Sequence, residues 1–147
     1  MENCRMKILR KSLIIKLLLL NAIIVGCSIT KNSTDVEQLT FGNGGGFTGN
    51  VTEYILNPKG EIFKHEKLPK SETKIKKISK EKTFELFSKA KAVQLDTCKF
   101  IYPGNMYYFI KIKSNGKENY ISWGDGKHKV NPEIESFYNE FINLLKN

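Results

Sequence analysis

Cysteine, histidine and tryptophan are scarce in this 147-residue chain, which has three, two and one of them. Cys4, Cys27 and Cys98 form no CxxC, and no Cys/His spacing suits a metal ion, so a zinc-type site is not expected. His65 ends a charged segment and His128 lies in a basic loop. Neither has the neighbours of a ligand or a catalytic base, so both are expected to be solvated. Gly-x-Ser-x-Gly and His-Glu-x-x-His are missing, and no Gly-Lys-Ser/Thr follows the glycine-rich segment. The familiar hydrolase, metalloprotease and phosphate-loop signatures are thereby excluded, and no cofactor is expected. A long apolar run is lacking too. Leu17–Val25 spans nine residues, whereas a bilayer-crossing helix needs about 20. Extending the run back to Ile8 would bury Arg10, Lys11 and Lys16 at high cost.

What is present at the amino terminus is an address. Arg5, Lys7, Arg10, Lys11 and Lys16 precede the short apolar run, and Gly26 stands directly before Cys27. A basic region, a short apolar region and a small residue at the cut are the order of a secretory signal peptide. Ile24-Val25-Gly26-Cys27 resembles the lipobox of bacterial lipoproteins. The resemblance implies a diacylglyceryl group on the Cys27 thiol, cleavage before it, and acylation of the new amino terminus. Several acyl chains suit stable anchoring, since one chain holds only marginally. Ser28 follows the cysteine with no acidic residue close by. In a diderm host this resembles sorting to the outer membrane, facing the periplasm, rather than inner-membrane retention. A buried N-terminal helix and an uncleaved anchor are the competing readings. The expected organisation is a signal peptide over 1–26, a lipidated Cys27 with a polar tether over 27–37, and one domain over 38–147.

Five of the 24 basic residues and one of the 15 acidic ones belong to residues 1–26, so the remainder carries +5 rather than +9. That basic excess is concentrated between Lys64 and Lys82, interleaved with Glu66, Glu72 and Glu81. A solvated face is the simple reading, and a patch for anionic head groups or polymers is the functional one. Export separates the chain from cytoplasmic nucleic acid, which is not expected as a partner. Nine Phe and six Tyr supply apolar area enough for a core without disulfides. Cys98, between Leu95 and Phe100, is expected to be a buried free thiol.

Periodicity and turn chemistry predict an α+β fold. Val51–Leu56 and Glu61–His65 flank Asn57-Pro58-Lys59-Gly60, a hairpin turn. Ser79 caps a helix carrying Phe84, Leu86, Phe87 and Ala90. Met106–Lys113 and Glu118–Trp123 surround Asn115-Gly116, the strongest short hairpin signal in the chain. Tyr107, Phe109 and Lys111 fall on one face of that pair, and Tyr108, Ile110 and Ile112 on the other. Asn131 and Pro132 open a last helix whose Ile134, Phe137, Tyr138, Phe141, Ile142 and Leu145 follow helical spacing. The expected architecture is strand-strand-helix-strand-strand-helix: an antiparallel sheet of about four to five strands covered by two helices.

Two segments are candidate binding sites. Five glycines lie between positions 42 and 49, in Phe41-Gly42-Asn43-Gly44-Gly45-Gly46-Phe47-Thr48-Gly49. Ordering so many glycines is costly. Gly44, Gly45 and Gly46 are therefore read as a loop for an anion or a partner's backbone. The architectural alternative is a strand crossing with Phe41 and Phe47 filling the core. The second candidate is Asn105 with Trp123 and Asp125, where an exposed Trp beside a carboxylate suits a sugar or peptide. Trp123 as a core lid above an Asp-Gly turn is the alternative. The glycine run, the turn Asn57–Gly60, Pro103-x-Asn105 and Ser122-Trp123-Gly124 resemble a group of small uncharacterised lipoproteins of Bacteroidota-type bacteria, over about residues 38–145. The resemblance implies location and domain bounds, and carries no catalytic residue.

The favoured function is a non-enzymatic binding module held to the membrane through Cys27, with an envelope protein or polymer as ligand. The alternative is a small envelope hydrolase or an inhibitor of an envelope enzyme. Cys27→Ser is expected to abolish metabolic labelling with a radiolabelled fatty acid and to release the protein from membranes. Unchanged retention would contradict the anchor.

Overall fold

The computed structural model describes residues 34–146. The expected leader, the lipidation of Cys27 and the tether up to residue 33 lie outside the described residues. Among the described residues the fold is α+β, a seven-stranded sheet with two helices. In chain order the elements are β1 (Val36–Gly45), β2 (Asn50–Leu56), β3 (Glu61–Glu66), β4 (Ser71–Lys77), α1 (Lys80–Ala92), β5 (Ile101–Tyr102), β6 (Met106–Ser114), β7 (Lys117–Trp123) and α2 (Pro132–Lys146). The sheet order is β4-β3-β2-β1-β6-β7-β5. Every pairing is antiparallel except β5 with β7.

The sheet therefore has more strands than the four to five expected. The two predicted hairpins are β2–β3 and β6–β7. The strands not foreseen are β1, β4 and β5. β4 is a lysine-rich edge that carries little apolar signal, and β5 is two residues long. The larger correction concerns β1. Of the two readings of Gly42–Gly45, a binding loop or a strand crossing, the strand is the one observed: the segment is the second half of the central strand, and the turn begins only at Gly46.

Strand alternation explains how glycines occupy the centre of a sheet. Leu39 and Phe41 point to the helix-covered face, where register places Leu56 and Ile112 beside Leu39, and Tyr54 and Ile110 beside Phe41. Phe41 stacks on Phe141 of α2, with ring centroids 3.9 Å apart, and meets Phe137 edge-on at 5.4 Å. Leu86, Phe87 and Ala90 of α1 join the same core. Thr40, Gly42 and Gly44 point to the opposite, uncovered face. There the Phe109 ring lies across Gly42, so closely that a Cβ at Gly42 would stand 2.3 Å from its Cζ and 2.7 Å from the Thr52 carbonyl oxygen. Phe109 is 2% exposed although it lies on the face opposite the two described helices. The missing side chains of the central strand make room for the aromatic rings of its neighbour, and this close approach outweighs the low strand preference of glycine.

Both helix starts follow the expected caps. Ser79 Oγ accepts from the Lys82 amide at 3.1 Å, and Asn131 Oδ1 from the Glu133 amide at 2.9 Å. Glu140 of α2 pairs with Lys82 at 3.1 Å and with Lys89, both on α1. Burial alone would raise its carboxyl, but the two ammonium groups outweigh it and hold the group below the usual glutamate value. Cys98 is half-buried against the core.

Phe41→Ala is expected to cost about 3–5 kcal/mol of stability, and Gly42→Ala about 1–3 kcal/mol through overpacking. Urea unfolding checks both, as a lower midpoint with an unchanged slope.

Candidate functional site

The register gathers four turns at one end of the sheet. Gly45 faces Asn50 on β2 and Met106 on β6, and Trp123 faces Tyr108 and, in β5, Tyr102. Asn50 Oδ1 accepts from the Leu68 amide at 3.3 Å, which joins the β1–β2 turn to the β3–β4 turn. Residues 46–49, 67–70, 103–105 and 124–131 therefore crown the same end.

Most of the residues singled out from sequence meet there. Gly44 is buried, and a Cβ on it would lie 2.8 Å from the Tyr107 hydroxyl oxygen. Gly45 has a φ of +102°, and a Cβ on it would fall 1.9 Å from the Asn105 carbonyl oxygen. No side chain fits that position. The Gly46 amide donates to the same Asn105 carbonyl at 2.7 Å. Gly104 lies directly against the Gly124 backbone, which abuts that of Met106. The run read as a loop for a ligand's backbone is thus occupied by the chain's own backbone. The crown is clamped, not open.

Trp123 is 6% exposed, its ring 5.3 Å from that of Tyr138 and 6.0 Å from that of Tyr108. Of its two readings, the core lid is the one observed. The Tyr138 hydroxyl donates to the Gly42 carbonyl at 3.2 Å, and burial pushes it far above the ordinary tyrosine value. Asp125 belongs to its own loop. Its Oδ1 accepts from the amides of Lys127 at 3.0 Å and His128 at 2.9 Å, and its Oδ2 lies 2.5 Å from His128 Nδ1. The His128 ring stacks on Tyr102 at 3.9 Å. The histidine expected to be simply solvated is therefore half-exposed, bonded and stacked, because the fold brings β5 under the 124–131 loop. The His128 ring first, and the two amides after it, hold the Asp125 carboxyl below its usual value.

The residue that sequence reasoning misplaced is Phe47. It was assigned with Phe41 to the core in the architectural reading, yet it is fully exposed on the β1–β2 turn. Leu68 (57% exposed) and Met106 (61%) stand on the adjoining turns. The signal was present as Gly46-Phe47-Thr48-Gly49, a four-residue turn whose flanking glycines leave the phenylalanine nothing to fold against.

A second feature lies on the uncovered sheet face. A hollow of about 320 Å³ is lined by Val51, Glu53, His65, Lys67 and Lys70. Glu53 Oε1 is 2.8 Å from Lys111 Nζ, and its Oε2 is 3.6 Å from His65 Nδ1. His65 is half-buried there and not freely solvated as expected. Among the described residues the lining joins one carboxylate, one imidazole and two ammonium groups, and contains no hydroxyl or thiol nucleophile. Among the described residues no group of three or more His, Cys, Asp or Glu is arranged to hold a metal ion.

No family model matches the chain, and no curated protein matches it at a significant level.

Because its folded value is depressed, the Asp125 carboxylate supports the loop above the ordinary aspartate value, about 3.9, and that support is lost as pH falls through the folded value. NMR titration of the Asp125 carboxyl carbon is expected to show a midpoint below that value, and His128→Ala to move it upward.

Proposed function

We propose that the protein is a lipid-anchored envelope component whose domain binds another envelope molecule through the crowned end of its sheet, without catalysing a reaction. The lipobox-like Ile24-Val25-Gly26-Cys27 supports the anchor, and Ser28 after it, with no acidic residue close by, supports an outer-membrane, periplasm-facing location. The observation that carries the binding reading is Phe47, a large aromatic held fully in solvent on a turn whose backbone is locked to Asn105. A rigid loop that presents an apolar anchor loses little conformational entropy when it binds. Burying a phenylalanine side chain, about 200 Å², is worth up to roughly 5 kcal/mol at 25 cal/mol per Å². Inhibition of an envelope enzyme is one form of the same binding, with the turn inserted into a cleft. The hydrolase alternative has its best location in the Glu53–His65 hollow, whose lining among the described residues lacks a hydroxyl or thiol nucleophile.

The test is crosslinking capture from envelopes with the full-length, lipidated protein. Phe47→Ser is expected to weaken capture by about 30-fold or more, the loss of an anchor worth some 2 kcal/mol. Its melting temperature should stay within about 2 °C of the parent, since Phe47 touches no core. Gly45→Val, by contrast, is expected to lower both. Full capture by Phe47→Ser would remove the crown as the binding surface.

A further inference from the structure

We infer that the crown faces away from the anchoring bilayer and seats in an apolar pocket with an acidic rim on a partner protein. This rests on the anchored-binding reading above and adds the orientation and the chemistry of the partner.

Orientation follows from where the chain enters the domain. At the end of β1 opposite the crown, the Asp35 carboxylate holds Ser114 Oγ at 2.9 Å, Asn115 Nδ2 at 2.7 Å and Lys91 Nζ at 3.1 Å. From Asp35 to Gly45 the strand covers about 33 Å at 3.3 Å per residue. The eight steps from Cys27 to Asp35 span at most about 28 Å at full extension. An end-on contact of the crown with its own bilayer would therefore need more than the whole tether. That limit keeps the Asp35 end nearest the lipid and turns Phe47 outward.

The chemistry of the occupant follows from what surrounds the exposed apolar side chains. Leu68 sits between Lys67 and Lys70 in one turn, and Lys127 stands in the loop beyond Trp123. Among the described residues, none of these three lysines forms an ion pair. Of the carboxylates at this end, Glu66 is engaged by Lys64 at 2.9 Å and Asp125 by His128 and its own loop, and the exposed Glu72 beside Ser71 sets one negative charge against the three lysines. Phe47, Leu68 and Met106 are thus bordered by a net positive charge. The complement is an apolar recess rimmed by carboxylates, which charge pairing would steer into place. Phe47, Tyr102 and Tyr108 expose rings at this end, but the aliphatic Leu68 and Met106 beside them match the apolar recess of a protein better than the hydroxyls of a polysaccharide, which favours a protein.

The experiment uses the full-length lipidated protein in two settings. In cells, photocrosslinking from position 47 identifies the partner, which is purified and its affinity measured. Phe47→Ser is expected to reduce that affinity about 30-fold or more, and the pair Lys67→Glu with Lys70→Glu about 10-fold, with binding weakening as salt rises. In vesicles containing bromolipids, Phe47→Trp is expected to give no quenching beyond that of the parent protein. A loss with Phe47→Ser but none with the charge reversal would leave the crown as a binding surface and overturn the acidic rim. Quenching in the vesicles would overturn the orientation and make a membrane the occupant. Undiminished affinity in both variants would refute the binding surface itself.

Discussion

The stacking of Phe41 on Phe141, with a bare glycine next in the strand, is the constraint on which the rest of the fold depends. One residue of the central strand supplies the ring that joins sheet to helix, and its neighbour supplies the absence that lets Phe109 lie across the strand on the other side. Large aromatic area is thereby buried on both faces of β1, though the two described helices cover one face only. The strands that flank β1 are held in register by the same alternation. A shift of one residue would place Phe41 on the uncovered side and a glycine against α2.

The same glycines make the crown rigid. Where β1 ends, Gly45 and Gly46 close onto the Asn105 carbonyl, and the 103–105 link closes onto Gly124. Backbone-to-backbone contact of this kind leaves no space for side chains, so the apolar groups at this end stand outside it. The entropy cost of ordering glycine is offset by packing that only glycine allows. The free edge at β4 is guarded by Lys74, Lys76 and Lys77, and β5 is too short to template another strand. Turn-mediated contact is accordingly a more economical route to a partner than strand addition.

Much of this was legible in the chain. The Asn115-Gly116 hairpin, the Asn57–Gly60 turn, the Ser79 and Asn131 caps and the apolar stripe of α2 are local features, set by residues within a few positions of one another. The gathering of the two candidate segments was legible only as a possibility. Trp123 as a core lid was legible as one of two readings, though not its partner Tyr138, and that Phe47 is exposed while Phe41 is buried was not legible at all. Both phenylalanines flank the same glycine run at equal distance, and nothing within that run distinguishes them.

By itself, then, the sequence determined the helices, two of the hairpins and the α+β class, because each is written in short-range pattern. The tertiary structure alone decided that a glycine-rich run is the centre of a sheet, since the reason is the Phe109 and Tyr107 rings some 65 residues further along the chain. It also decided which aromatic residues are spent on the core and which face the solvent. Register across β1, β2 and β6 fixes the direction of each side chain, and pairing between strands so distant in sequence leaves no trace in any one of them.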